Sequence, residues 1–547
     1  MRKVSSSLAF VLLSSMILSA CSGNNGPSGA PEDTPAPGNS GNSQAAEVVN
    51  ASGFPIVDEP ITLRAMVQLS PVQPTDWNDI LIWQEYEKMT GIRIDWEAYT
   101  AADITEKRNL ALASDQLPDI FYRTRMPDND VDKYGVEGSF VRLNDLIDQY
   151  APNFKAVLEK YDDVRKGVAT ADGSIYALPN LTDSPSIEIT RKLFLNTDWL
   201  EKTGQQMPTT IDELYEVLVA FRDGDPNGNG QQDEIPLAAD SLDELLLVLR
   251  GAYGLGNMGI GNNNWDIDPD SGELRFFPAS ERYMELLTFV NKLYAEKLID
   301  QEIFTTSGTD VLAKNEQNRL GGFSFGNVVG RANSNADSFA GLDAALTGPH
   351  GDQLYTSARG HLGARGAFMI SKSNPHPEAS MRWIDHFYSD EGIRMLYLGI
   401  EGETYAKDAD GNYDFLPEIV DNIPEGSSFD QVVSQYVPYA GGSIPTLIME
   451  DYFKGGETQP SAKAAAENLA PYLPDELWAP FSFTTEEADE KLAIEADINA
   501  LVTQRTAEFV QGKASLADFS TYVTQLERMG LNRLKEIYEA GYARYQE

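Results

Sequence analysis

An α/β protein with more than one lobe is predicted, on three observations. From Ile61 to Tyr122 the chain reads strand, helix, strand, helix, strand, which requires parallel strands with helical crossovers. At 547 residues it is too long for a single hydrophobic core. Hydrophobic residues make up 42 % and aromatics 10 %, enough for a globular body rather than a disordered chain.

The elements follow in order. Arg2 and Lys3 precede an apolar stretch, Leu8 to Leu18, broken only by Ser14 and Ser15. It is too short for a stable membrane span and reads as a signal peptide over residues 1–20. It ends in Leu18-Ser19-Ala20-Cys21, which resembles the lipobox of bacterial lipoproteins, where the thiol is lipidated and becomes the mature amino terminus. Cys21 is the sole cysteine, so no intramolecular disulfide and no Cys-based metal site can form. No later stretch approaches transmembrane length, so the expected anchor is the acyl group on the outer face of the cell membrane. Ser, Gly, Asn, Pro and Ala dominate from residue 22 to about 55, and a flexible tether is expected over 21–60.

Strands are expected at Ile61–Leu69, Ile92–Tyr99 and Leu117–Tyr122, with helices at Asn78–Thr90, stopping at Gly91, and Ala101–Ser114. Ligands of open α/β sheets sit beyond the carboxyl ends of the strands, which puts Ser70–Trp77, Tyr99–Ala102 and Tyr122–Arg125 on a binding rim. Thr210 and Glu213 form a capping box, followed by Leu214, Val217, Leu218 and Phe221 at helical spacing. Helical periodicity dominates Glu378–Tyr397 and Ala507–Tyr545. Lys plus Arg number 42 against 84 for Asp plus Glu, a net charge of −42. That balance excludes the basic stripe a nucleic acid requires and disfavours flat docking on anionic lipid.

The segments Leu143-Asn144-Asp145-Leu146-Ile147, Gly173-Ser174-Ile175-Tyr176-Ala177-Leu178-Pro179, Asn196-Thr197-Asp198-Trp199-Leu200, Tyr294-Ala295-Glu296-Lys297-Leu298 and Gly399-Ile400-Glu401-Gly402 stand in a telling order. With the carboxyl-terminal Gly512 and Gly530-Leu531, they give a chain that resembles the extracellular solute-binding proteins of family 1, in the long-chain branch that includes oligosaccharide- and alginate-binding proteins. The resemblance implies a two-lobed periplasmic-binding-protein-like fold of type II, with a hinge and an inter-lobe ligand cleft. Lobe one is expected over 61–183 and lobe two over 184–362. Residues 363–547 return to lobe one and add helices across both lobes. The function implied is capture of an oligosaccharide by a monomer that delivers it to ABC permeases.

Asp225-Pro226-Asn227-Gly228-Asn229-Gly230-Gln231-Gln232-Asp233-Glu234 carries oxygen donors at positions 1, 3 and 5, Gly at 6 and an acid at 9, the first three-quarters of an EF-hand loop. Position 12 is Pro236 instead of a bidentate Glu. The resemblance to alginate-binding relatives gives Glu234 the closing role. A structural Ca²⁺ is expected on Asp225, Asn227, Asn229, Asp233, Glu234 and the Gln231 carbonyl, against the alternative of an ion-free Gly/Asn turn.

Sugars are held by aromatic faces and planar polar groups in a concave site. Placement selects Trp77 after the first strand and Tyr122 with Arg123 at the end of the third. Phe325, in Gly321-Gly322-Phe323-Ser324-Phe325-Gly326, resembles a family strand end bearing a stacking aromatic. Arg365 in the return crossover and Glu401 in a Gly-flanked turn complete the candidates. Trp83, Trp96 and Trp383 fall on apolar faces and read as core, and Trp478 as a possible cap of the cleft. His350, His361, His376 and His386 show no ligand spacing. No His-Glu-x-x-His or P-loop occurs, so a binder is expected over a secreted glycosidase or lyase, with a sugar or peptide sensor or adhesin as a third reading.

Overall fold

The alternation expected over 61–122 builds a four-stranded sheet. In the computed structural model, which describes residues 49–547 apart from 75, 333, 422, 425–426 and 439–443, Ile61–Gln68 lies between Ile92–Tyr99 and Ile120–Met126, parallel to both. Gly366–Ile370 joins on the far side of Ile120–Met126, antiparallel to it. The first crossover helix starts at Leu81, because Trp77–Asp79 forms a separate 3₁₀ turn capped by Asp76. It ends at Gly91 with φ 78°, a left-handed residue that glycine adopts without strain. The third strand begins at Ile120 instead of Leu117, since Pro118 offers no N–H to a ladder.

A second four-stranded sheet runs in the order Phe339–Gly341, Lys192–Asn196, Gly322–Phe325, Ala238–Ala239. Lys192–Asn196 is antiparallel to both neighbours, and Ala238–Ala239 is parallel to Gly322–Phe325. The helix Ile211–Asp223 packs on it through Ile211, Leu214, Val217, Leu218 and Phe221. Its cap departs slightly from the expected box. Thr210 accepts the Glu213 N–H, while the Glu213 carboxylate reaches one residue further back, to the N–H and hydroxyl of Thr209.

The chain passes between the sheets as a narrow antiparallel ribbon. Outgoing residues pair with returning ones at Leu181 with Leu362 and at Ile189 with Ala358. Leu181–Asp183 also pairs in parallel with Leu447–Met449. The long helix Thr485–Val510, opened by a capping box of Thr484 and Glu487, touches helix Asp128–Val136 beside the first sheet and helix Glu281–Ala295 beside the second. Among the described residues no helix is long and apolar enough to cross a membrane.

Cys21 and the signal-peptide expectation lie outside the described residues. The tether expectation, where it can be compared, needs correction at its end. Residues 49–58 are packed on the first lobe: Ile56 is 0 % and Val57 2 % exposed, and both donate N–H bonds to the Thr90 carbonyl. Phe54 sets its ring against Tyr86 and His386, and Arg382 donates to the carbonyls of Ala51 and Gly53. Composition missed this because one isoleucine, one valine and backbone bonds suffice to dock a short strap. Ile56→Ala should therefore lower unfolding stability by about 2–4 kcal/mol in a urea titration.

Candidate functional site

The carboxyl ends of Ala238–Ala239 and Gly322–Phe325 and the start of Lys192–Asn196 meet at one edge of the second sheet, and charged side chains collect there. Arg191 pairs with Glu244, and Arg331 pairs through Nε and Nη2 with Asp240. Between them stands Phe325, with the Arg331 guanidinium carbon 3.7 Å and that of Arg191 5.3 Å from the ring centroid. The arginine at 3.7 Å already stacks on the ring, so Phe325 acts as a prop for Arg331 instead of an open platform. A Cβ on Gly330 would lie 2.5 Å from that ring, which is why no side chain fits there.

Glu244 also lines a cavity of about 430 Å³ between helices Leu242–Leu249 and Thr485–Val510. Its wall carries the Asp243 and Glu244 carboxylates, the amides of Asn263, Asn264 and Asn499, and the hydroxyls of Tyr283, Thr503 and Thr506. Phe277, Leu246 and Val502 supply apolar surface. Tyr283 and Thr506 share a 2.8 Å hydrogen bond, which fixes one hydroxyl pair. Burial raises the Asp243 carboxyl above its ordinary range. Amides, carboxylates and hydroxyls beside an aromatic face suit a neutral polyhydroxylated ligand.

On the first sheet the corresponding rim is formed by Arg123, Arg125, Asp128, Asp132 and Arg365. Arg123 and Arg125 take positive φ, 52° and 54°, and donate to the Gln68 carbonyl and side-chain oxygen respectively. Arg365 pairs with Asp132, and burial raises Asp128 against the opposing charge of Arg365.

Two expected ligand contacts are corrected. Trp77 and Tyr122 are both 0 % exposed and belong to an aromatic core with Trp83, Trp96 and Trp383, at centroid separations of 5.1–6.1 Å from one to the next. The Asp76-capped turn swings Trp77 under the sheet, and Tyr122, one residue before Arg123, turns to the helix face against Trp83 and Trp383. Trp478 is likewise buried, against Phe481 and Tyr542, and caps nothing. Arg123 and Arg365 lie at the rim but are 2 % and 4 % exposed. Glu401 is exposed in a turn that bridges to Tyr405 of the small Tyr405–Lys407 hairpin. Only Phe325 falls within the second rim, where Arg191, Asp240, Glu244 and Arg331 went unrecognised. The one signal available for them was a charge within a few residues of each strand end.

The acidic loop follows helix Ile211–Asp223 and leads through Ile235 into the second sheet. Asp225, Gly228 and Gly230 take positive φ, which curls the chain. The Asn227 and Asn229 amides donate to one Asp233 oxygen at 3.2 and 3.0 Å, and Asp225 accepts the Gly230 N–H. Those amides and Arg319 hold Asp233 below its ordinary range. Glu234 is the reverse: one carboxylate oxygen is buried without a partner, and burial with the charges of Asp233 and Asp225 raises it. An orphaned carboxylate oxygen beside two other acids and two amides fits a hard cation. Asp225, Asp233 and Glu234 are not drawn together within 4.8 Å as a set, so binding an ion requires the loop to contract and the amides to turn.

Two lobes joined by a crossover ribbon, with polar rims at their strand ends, define a solute-binding architecture. The chain belongs to the bacterial extracellular solute-binding protein family, whose model matches residues 73–393. It is 31 % identical over 512 residues, 90 % of this chain and 92 % of its relative, to the fructooligosaccharide ABC transporter substrate-binding protein FusA of Streptococcus pneumoniae. The FusA structure in complex with kestose superposes with a TM-score of 0.71 at 28 % identity, covering 89 % of this chain and 99 % of that one. An EF-hand mutant of FusA, in complex with fructo-nystose, matches equally. An HMO-binding solute-binding protein from Bifidobacterium longum infantis shares the fold, with a TM-score of 0.74, 21 % identity and the same coverage.

Proposed function

We propose that this chain is the substrate-binding lipoprotein of an ABC importer and captures an oligosaccharide. The observation that carries the reading is the cavity of about 430 Å³ whose amides, hydroxyls, carboxylates and aromatic face lie beside the strand-end rim of the second sheet. The family and the similarity to a fructooligosaccharide-binding relative support it. Lobe one spans 61–183, lobe two 184–362, and 363–547 returns to lobe one and adds the helices that lie along both. A ligand held by both rims stabilises the closed form, and binding energy shifts the population toward the state permeases recognise. The chain acts as a monomer and performs no chemistry on the ligand. Asp243 and Glu244 sit side by side on one helix turn, which suits hydroxyl recognition but cannot place acids on opposite sides of a glycosidic bond.

Calorimetry over kestose, longer fructans and a panel of neutral and acidic oligosaccharides should give one class with micromolar or tighter affinity. Asn264→Ala and Glu244→Gln should each weaken it about tenfold, the worth of one or two hydrogen bonds. Silence across the panel, or hydrolysis of any member, would overturn the reading.

We further assign Ca²⁺ to Asp225, Asn227, Asn229, Asp233, Glu234 and the Gln231 carbonyl, in a structural role. The ion offsets two of the three carboxylate charges, Arg319 facing Asp233 as the third positive charge, and pins the end of helix Ile211–Asp223 to the strand that follows. Saturating Ca²⁺ should raise unfolding stability by about 2.7 kcal/mol at a hundred times Kd. EDTA should remove that gain, and Asp233→Ala should make the protein indifferent to both. Cys21 carries the lipid: labelled palmitate should be incorporated by the native chain in a bacterial host and lost in Cys21→Ser, with the protein then released to the medium.

A further inference from the structure

The crossover ribbon carries a cluster of ionisable groups that neither the cavity nor the calcium loop uses. His361 sits on the returning segment of the ribbon, with Asp183 at the end of the outgoing strand Leu181–Asp183 and Glu188 at the end of the short helix Pro185–Glu188 that follows it. One oxygen of each carboxylate and one ring nitrogen lie within 4.8 Å of one another. From lobe one, Asp163 at the start of helix Asp162–Val168 grips the same histidine. One oxygen lies 2.9 Å from His361 Nδ1, and the other accepts the His361 N–H at 2.7 Å. Gly360 packs against Asp163, where a Cβ would collide. Thr182 donates its N–H to the His361 carbonyl and Arg359 to the Glu188 carbonyl, so the cluster spans the backbone ladder of the ribbon.

The other facing groups are Lys160 and Tyr161, both bonded to Asp183, together with the buried Arg359 near Glu188 and Tyr545 near Asp163. Counted with neutral imidazole, the three carboxylates Asp163, Asp183 and Glu188 face two cations, Lys160 and Arg359, and leave one negative charge. One proton on His361 balances the cluster, whereas a divalent ion would overshoot it. We propose that His361 is a proton-operated latch on the hinge: charged, it binds the outgoing strand, the returning strand and the lobe-one helix together, and neutral, it leaves the three carboxylates to loosen the ribbon.

The surroundings bias the latch toward its charged form. Burial alone would lower the imidazole, but its hydrogen bond to the Asp163 carboxylate and the charges of Asp163, Glu188 and Asp183 outweigh it and raise His361 above 6.5. Glu188 is raised by burial, with His361 opposing. The sign follows from linkage. A base with a raised folded pKa contributes its stabilisation below the unfolded value, and loses it as pH rises through the folded one. The ribbon is therefore tight below the His361 transition and slack above it.

The test needs no sugar, so its failure is distinguishable from failure of the binding reading. In the full mature chain, in chelated buffer, ¹³C-histidine NMR follows each imidazole while hydrogen exchange follows the amides of Thr182, Arg359 and Gly363. His361 should titrate above 6.5, and protection of these amides should fall about tenfold for each unit of that displacement as pH rises through the transition. His361→Gln should abolish the transition, and Asp163→Asn should keep the fold while moving it to lower pH. A His361 that titrates at or below 6.5, an unchanged pH profile of protection in His361→Gln, or a bound metal ion that suppresses the titration would each overturn the proposal.

Discussion

A buried ammonium sets the geometry on which the second lobe and the ribbon depend. Lys192 is 0 % exposed, and its Nζ donates to the carbonyls of Ser186, Ile189 and Gly326 at 2.6, 2.9 and 3.0 Å. Burial pulls its pKa down to about 8, against the pull of Glu457. An ammonium removed from water is tolerated only where acceptors replace its hydration, and here three backbone carbonyls from two chain segments do so. The outgoing ribbon, the first strand of the second sheet and the turn after Phe325 are thereby fixed to one atom. Lys192 stands opposite Phe325 in the strand register, so the same contact determines where the rim arginines begin.

From that point the two strand-end rims are held by charge pairing. The chain is strongly acidic, and three arginines at the two strand-end rims each pair with a carboxylate: Arg191 with Glu244, Arg331 with Asp240, Arg365 with Asp132. Partly buried pairs of this kind add little to stability once desolvation is counted, but they hold planar groups in fixed orientation. Fixed planar donors and acceptors are what ring hydroxyls require, and an unpaired charge there would instead favour an ionic ligand.

Legibility varied with the range of the interactions. The Gly91 stop, the Thr210 cap and the parallel strands at 61–68 and 92–99 are local, and they stand where periodicity and capping put them. The acidic loop was equally visible, since its donors lie within ten residues. The site was not. Trp77 follows a Pro-rich loop like a rim residue, yet a single capped turn buries it among four other aromatics. Asn264 and Asn499 face one cavity across 235 positions of sequence, a juxtaposition no spacing reveals. His361 offered no ligand spacing either, because its partners arrive from positions 163, 183 and 188.

By itself the amino-acid sequence determined the α/β class, the caps and stops of individual helices and the acidic loop. These depend on side chains a few residues apart, where backbone geometry leaves few alternatives. The tertiary structure alone decided which aromatics are core, which charges pair at the rims and which groups meet on the ribbon. Those outcomes turn on contacts between segments far apart in the chain, and a shift of one turn exchanges a buried residue for an exposed one.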